Sequence, residues 1–364
     1  MHSRLRFLRL WKLIERENAV RYMLISLLSF VATVSIVRTF LALTGYPQIG
    51  SGTIHIAHVL WGGLILYIAA ILPVIYLNPR LHILGAILSG VGAGLFIDEV
   101  GKFITRQYDY FFPAAAPIIY VFFLLVVILV VMIHRPELRD GRAELVQALE
   151  IVRDQLYRPL EAAERIRVEH DMNEVMQTDP DKLHRDMAGQ LLALVQSDPR
   201  SLPEKAPNWV LRIVNRFQDW LTELRLGWLT AVGMIILGLV MLKNPFQVWL
   251  EQVAPGSSLY AFLQTHAGRQ IAPVEAPVLY HTRLILEVVI GITLLLSAGL
   301  LAAGRKRIAI NLALLCLFTS LAVLDMLLFY FEQFSTVLTV AFQFLLLFGV
   351  MYYRRKYMST NKNP

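Results

Sequence analysis

Asp98 and Glu99, followed by Lys102, are the residues of this chain whose types and spacing could do chemistry. They end an apolar run, Leu81 to Ile97, that is nearly long enough to cross a bilayer. A charged side chain in hydrocarbon costs roughly 2.5–3.5 kcal/mol on insertion scales, so it persists where something pairs with it or uses it. Positions four apart share a helix face, which predicts one stripe of Ala86, Gly90, Gly94, Asp98 and Lys102. Small residues admit a neighbouring helix closely, so this stripe is expected to face protein. His55, His58 and Gly62 share a face of the preceding span, and Arg38 stands at nearly the depth of Asp98 in the first. Arg38, His55, His58, Asp98, Glu99 and Lys102 are therefore expected to meet in the outer leaflet.

Such a cluster has four readings. Intramembrane carboxylates beside histidines suit passage of a proton or small cation, because they bind transiently and release. Asp98 and Glu99, with His55 and His58, would then bind the ion, and Arg38 or Lys102 would be the exchangeable counter-ion. Alternatively, the two histidines and two carboxylates could hold Zn²⁺ in a metal-dependent membrane hydrolase, with one position left for water. Lys102 on the Asp98 face opposes that reading, no H-E-x-x-H or Cys-x-x-Cys supports it, and no other cofactor is expected. A closed salt-bridge network without turnover is the third reading. A non-catalytic membrane scaffold or sensor, whose cytoplasmic insert binds a protein partner, is the fourth.

The elements that must position these residues follow from composition. Hydrophobic residues make up 56% of the 364 and charged residues 17%, with a mean hydropathy of +0.55. Soluble domains are nearer 45–50% apolar and 25% charged, so the chain reads as an all-α integral membrane protein. Apolar runs at about 22–44, 56–77, 82–104, 114–134, 227–243, 283–303, 308–330 and 334–352 predict eight transmembrane helices. Residues 1–20 read as a basic amphipathic helix on the membrane surface. Then come a four-helix membrane half (21–134), a helical cytoplasmic insert (135–225), a second four-helix half (226–353) and a basic tail (354–364). A loop with one short amphipathic helix is expected over about 244–281.

The net charge of +7 is unevenly spread. Residues 135–225 carry 14 Lys/Arg against 17 Asp/Glu, which leaves 20 against 10 elsewhere. Arg16, Arg21, Arg80, Arg135, Arg225, Arg305–Arg307 and Arg354–Lys356 all fall on one face of an eight-span topology. The positive-inside rule makes that face cytoplasmic, with both termini on it. The dispersed basic residues form no aromatic-interleaved patch, so the partners expected are the lipid bilayer and a small ion, not nucleic acid. A crevice between halves and a pore on the axis of a homo-oligomer both satisfy this pattern. The single cysteine, Cys316, lies in an apolar run and excludes any disulfide framework.

The halves share spacing. Arg80 precedes Asp98 by 18 residues and Arg307 precedes Asp325 by 18; His55 precedes Arg80 by 25 and His281 precedes Arg307 by 26. Four spans per half would make the copies parallel, about an axis along the membrane normal. Asp325, His281 and Lys243 are the second-half counterparts of the first cluster. Met326 and Phe329 replace Glu99 and Lys102, so the first half is the stronger functional candidate. Asp325 needs Lys243, Arg283 or His281 as a partner, or it stays protonated.

Two segments, His55-Ile56-Ala57-His58-Val59-Leu60-Trp61-Gly62-Gly63 and Gly94-Leu95-Phe96-Ile97-Asp98-Glu99-Val100-Gly101-Lys102-Phe103, with Tyr108 to Phe111 after them, carry a resemblance. Over roughly residues 40–135 the chain resembles a family of uncharacterised multi-pass bacterial membrane proteins. The resemblance implies a bacterial cell (inner) membrane location and no particular activity. The late H-x-x-x-H of seven-span ceramidase and progestin-receptor-like hydrolases is absent.

Overall fold

The computed structural model describes residues 14–16, 18–45, 57–106, 110, 112–133, 141–197, 216, 222–254 and 276–358. The proposed surface helix lies almost entirely outside them, as does most of the loop expected at 244–281. Every regular element among the described residues is helical. In chain order these are α1 (Ala19–Thr44), α2 (His58–Ile75), α3 (Pro79–Asp98), a short α4 (Val100–Ile104) and α5 (Ala115–Ile133). The insert helices α6 (Gly141–Gln155), α7 (Ala162–Thr178) and α8 (Lys182–Ser197) follow. Then come α9 (Glu223–Val253), α10 (Pro277–Ala302), α11 (Lys306–Thr319), α12 (Asp325–Glu332) and α13 (Val337–Tyr353).

Among the described residues, seven helices are long and apolar enough to cross a membrane, the seventh being the 53-residue run Lys306–Met358 that contains α11 to α13. That run is not straight. Gln333 has φ 52° and ψ −132°, outside helical space for a residue with a Cβ. A 3₁₀ turn, Gln333–Thr336, follows, and α13 packs back on α11.

Two expected boundaries move. The third span does not run unbroken to residue 104: Glu99 (φ −90°, ψ 10°) interrupts it and starts α4. The fifth does not stop at Lys243 but continues through Pro245 to Val253. Proline removes one backbone N–H and so one helical bond. Buried Leu250 and a bond from Asn244 Nδ2 to Glu287 Oε2 (3.1 Å) tie the extension to its surroundings.

By compactness the chain forms two units, Met1–Ile97 with Phe123–Arg212, and Asp98–Phe122 with Ile213–Pro364. In the first, α3 meets its neighbours through glycines. A Cβ on Gly90 would stand 2.1 Å from Ser26 O in α1, and one on Gly94 would stand 2.8 Å from Thr33 Cβ. Gly92, on another face, comes as close to Leu66 N of α2, at 2.8 Å. Ser26 and Ser89 share a hydroxyl bond of 2.8 Å across the α1–α3 contact. These backbone approaches replace the hydrophobic drive that helices lack in lipid.

The insert helices close over their own apolar core, including Leu145, Ala148, Ile151, Val168, Met172, Val175, Ala188 and Leu191. Glu161 and Glu164 form a reciprocal capping box at the start of α7. Leu149, Leu156, Leu183 and Leu194, although at helical spacing, are exposed. Arg16 reaches Glu150 (2.8 Å), and Gln147 donates to Glu15 O (3.0 Å), fastening the segment before α1 to α6.

In the second unit, α9 and α10 cross at a reciprocal glycine pair. A Cβ on Gly238 or on Gly291 would lie 3.0 Å from the other's carbonyl oxygen. Leu237, Leu294, Ile310, Leu317 and Leu324 fill the core beside that crossing.

Candidate functional site

Three clusters in the second unit are built on fully buried charged residues. The first contains the sequence-predicted Asp98 and Glu99, both fully buried. The break at Glu99 turns Lys102 off the stripe that was expected to join it to Asp98. Lys102 Nζ instead bonds Glu99 Oε1 at 2.8 Å and stands 5.3 Å from the centre of the Tyr110 ring. Tyr110 donates its hydroxyl to Asp98 Oδ2 at 2.7 Å. Arg38 and His58 belong to the other unit, where both are half-buried on α1 and α2. His55 lies outside the described residues.

The second cluster is built on Arg283, which is fully buried in α10. Its Nε bonds Glu287 Oε1 one turn on, at 2.9 Å, and its Nη2 bonds Glu332 Oε1 at the end of α12. The guanidinium lies 5.7 Å from the Phe331 ring centre. Two carboxylates thus occupy Arg283, which was expected to be available to Asp325. His281 is exposed and is bonded at Nδ1 to Pro277 O of its own helix (2.6 Å). Lys243 is half-buried on α9.

The third cluster surrounds Asp325. Its carboxylate is fully buried, and among the described residues no Lys, Arg or His forms an ion pair with it. Gln343 of α13 donates Nε2 to Asp325 Oδ1 at 2.9 Å. Tyr120 of α5 donates its one proton to Leu321 O at 2.7 Å and holds only a 3.4 Å contact with Asp325 Oδ2. Below the carboxylate the helix widens into a π turn, Ser320–Leu324, closed by the bond from Asp325 N to Ser320 O. This i to i+5 register stacks Ser320 beneath Asp325, where an α-helix would put Leu321.

Two polar atoms of this third cluster are orphaned. Gln343 Oε1 and Ser320 Oγ are buried without a formed hydrogen bond. Such groups normally find a partner in protein or water. Asp325 Oδ2, Gln343 Oε1 and Ser320 Oγ are thus neighbouring buried oxygen atoms, and the Ser320 hydroxyl lies within reach of the Asp325 carboxylate. Hard cations are bound by oxygen sets of this kind. Asp325 and Glu332 are seven residues apart on α12, about two helical turns. Phe329, between them, stacks on Tyr120 at 4.7 Å.

Sequence reasoning found Asp325 through its charge but missed Gln343, Ser320 and Tyr120, which carry none. The lone glutamine in the largely apolar stretch Val337–Gly349 was the available signal. Among the described residues no three His, Cys, Asp or Glu side chains form a set that could hold a metal ion. Compared with family models, curated proteins and solved structures, the chain finds no match in any of the three.

Proposed function

We propose that the protein is a transporter or channel for a small cation, a proton or a hard monovalent ion, with Asp325 as the principal binding group. The observation that carries this is the buried Asp325 carboxylate among the orphaned oxygens Gln343 Oε1 and Ser320 Oγ, with no basic side chain among the described residues paired to it. Arg283 Nη1 is also buried without a hydrogen bond, but the Arg283 charge is met by two carboxylates, whereas no basic side chain among the described residues meets Asp325. Arg283, held by two carboxylates, acts as a fixed charge that shapes the field around the path. Asp98 with its Tyr110 donor is the second station, and the Glu99–Lys102 pair is exchangeable.

The proposed setting is a bacterial inner membrane crossed eight times by two parallel four-helix halves, with both termini cytoplasmic. The reversal at Gln333 supports counting Lys306–Met358 as two crossings, and the basic residues at the span ends support the orientation. Cation and pH-gradient flux in proteoliposomes tests the function, comparing Asp98→Asn and Asp325→Asn. Flux lost only with Asp325→Asn puts the path at the third cluster, and loss with both puts two stations on it. Undiminished flux in both variants overturns the proposal.

A further inference from the structure

A cleft of about 1080 Å³ opens where α11 begins and α13 ends. Arg307, Arg354, Arg355 and Asn311 line it, together with the apolar side chains of Phe348 and Met351. None of the described residues lining it is Asp or Glu. Phe348 is 64% exposed and Met351 41%, so the wall presents apolar surface continuous with the outside of α13. The π turn Arg354–Met358 carries three basic residues of the tail. Lys356 Nζ sits 5.5 Å from the ring centre of Tyr352, which also lines the cleft, and 5.4 Å from that of Tyr357. Arg354 and Arg355 go to the cleft.

We infer that this cleft binds an anionic phospholipid, with its phosphate at Arg307, Arg354 and Arg355 and an acyl chain along Phe348 and Met351. Guanidinium groups match phosphate oxygens in paired fashion. Basic pockets between membrane helices recognise anionic headgroups. A free phosphate would use the arginines but would leave the apolar wall and most of the volume unfilled. Small-molecule pockets run to roughly 300–1,000 Å³, so this cleft suits a large amphiphile. The position agrees: one end of two apolar helices is where headgroup and hydrocarbon meet.

The test is native mass spectrometry of the delipidated full chain in detergent, titrated with phosphatidylglycerol, phosphatidylcholine or inorganic phosphate. Wild type is expected to retain phosphatidylglycerol in preference to phosphatidylcholine, and inorganic phosphate at the same concentration should not displace it. Arg307→Gln, Arg354→Gln and Arg355→Gln should each weaken phosphatidylglycerol roughly five-fold, and the triple variant on the order of a hundred-fold. Arg80→Gln, far along the sequence and exposed, should leave the preference intact. Equal retention of the two lipids by wild type would overturn the inference without recourse to any variant. So would a phosphatidylglycerol preference that survives the triple substitution. Displacement by inorganic phosphate would overturn it too, by assigning the arginines to a soluble anion instead.

Discussion

Gln343 donates to Asp325 across 18 residues of sequence at 2.9 Å, although a straight helix would hold the two about 27 Å apart. One bond thus records the reversal of the chain and furnishes the donor that holds the buried carboxylate. The glutamine offers its amide N–H to Asp325 and leaves its carbonyl oxygen unsatisfied. The fold has therefore oriented Asp325 while leaving an acceptor beside it unused.

A cation bound there would engage that acceptor and the carboxylate, and a ligand that binds only the folded state stabilises it by mass action. Wild-type protein in detergent is expected to melt at progressively higher temperature as the transported cation is raised, with choline as the control. Asp325→Asn should abolish the increment. Gln343→Leu should abolish it too, and should cost a further 1–3 kcal/mol or so because Asp325 Oδ1 loses its donor. A melting temperature indifferent to every small cation and to pH would show that the oxygen cage binds none of them.

The Arg283 cluster should behave as architecture. Removing one partner of a buried ion pair strands the other, at a cost of roughly 3–5 kcal/mol. Arg283→Met, which leaves Glu287 and Glu332 uncompensated, is expected to lower stability by about that much in a thermal or denaturant titration. Adding Glu287→Leu should recover part of the loss. A single variant as stable as wild type would mean that the carboxylates find other partners.

Helix contact in the first unit depends on the missing Cβ of Gly90. Because the atom it would strike is the backbone oxygen of Ser26, no side-chain rotation relieves the clash. Gly90→Ala should destabilise by about 1–3 kcal/mol. Gly63→Ala, with nothing within 4 Å of the new methyl, should be neutral or mildly stabilising through helix propensity. Equal melting curves for the two variants would contradict the packing described.

The insert carries a pH-dependent anchor. The Asp179 carboxylate is held below the usual range, first by the backbone N–H of Asp181 and then by His184. A depressed folded-state value adds stability above the ordinary aspartate pKa of about 3.9, and that stability is lost as pH falls below it. Asp179→Asn should therefore weaken the insert at neutral pH and flatten its acid transition below about pH 4. Circular dichroism followed against pH would check this. An unchanged acid limb would remove Asp179 from that role.

The spans were legible because an uninterrupted run of about 20 apolar residues suits a bilayer and little else. Asp98 and Asp325 stood out for the complementary reason, that charge in such a run is costly. What stayed hidden was tertiary. Lys102 lies four residues after Asp98, yet the non-helical turn at Glu99 gives it to Glu99 instead. Pro245 fell within the loop expected over 244–281, yet one lost backbone bond is outweighed where Leu250 is buried and Asn244 finds a partner. In α6 the spacings of Leu145 with Leu149 and of Leu145 with Ala148 and Ile151 are both helical, and packing chose the second. Gln343 and Ser320 cost little to place in a span, so only the hairpin and the π turn reveal them at Asp325.

The most direct measurement is the transient current of protein reconstituted on a solid-supported membrane after a rapid cation or pH jump. Wild type is predicted to displace charge with an amplitude that saturates in one cation, and well-folded Asp325→Asn to give the trace of protein-free membrane. No current from well-folded wild type under any jump, or an unaltered current from Asp325→Asn, would contradict the assignment of Asp325 as the group that binds the ion.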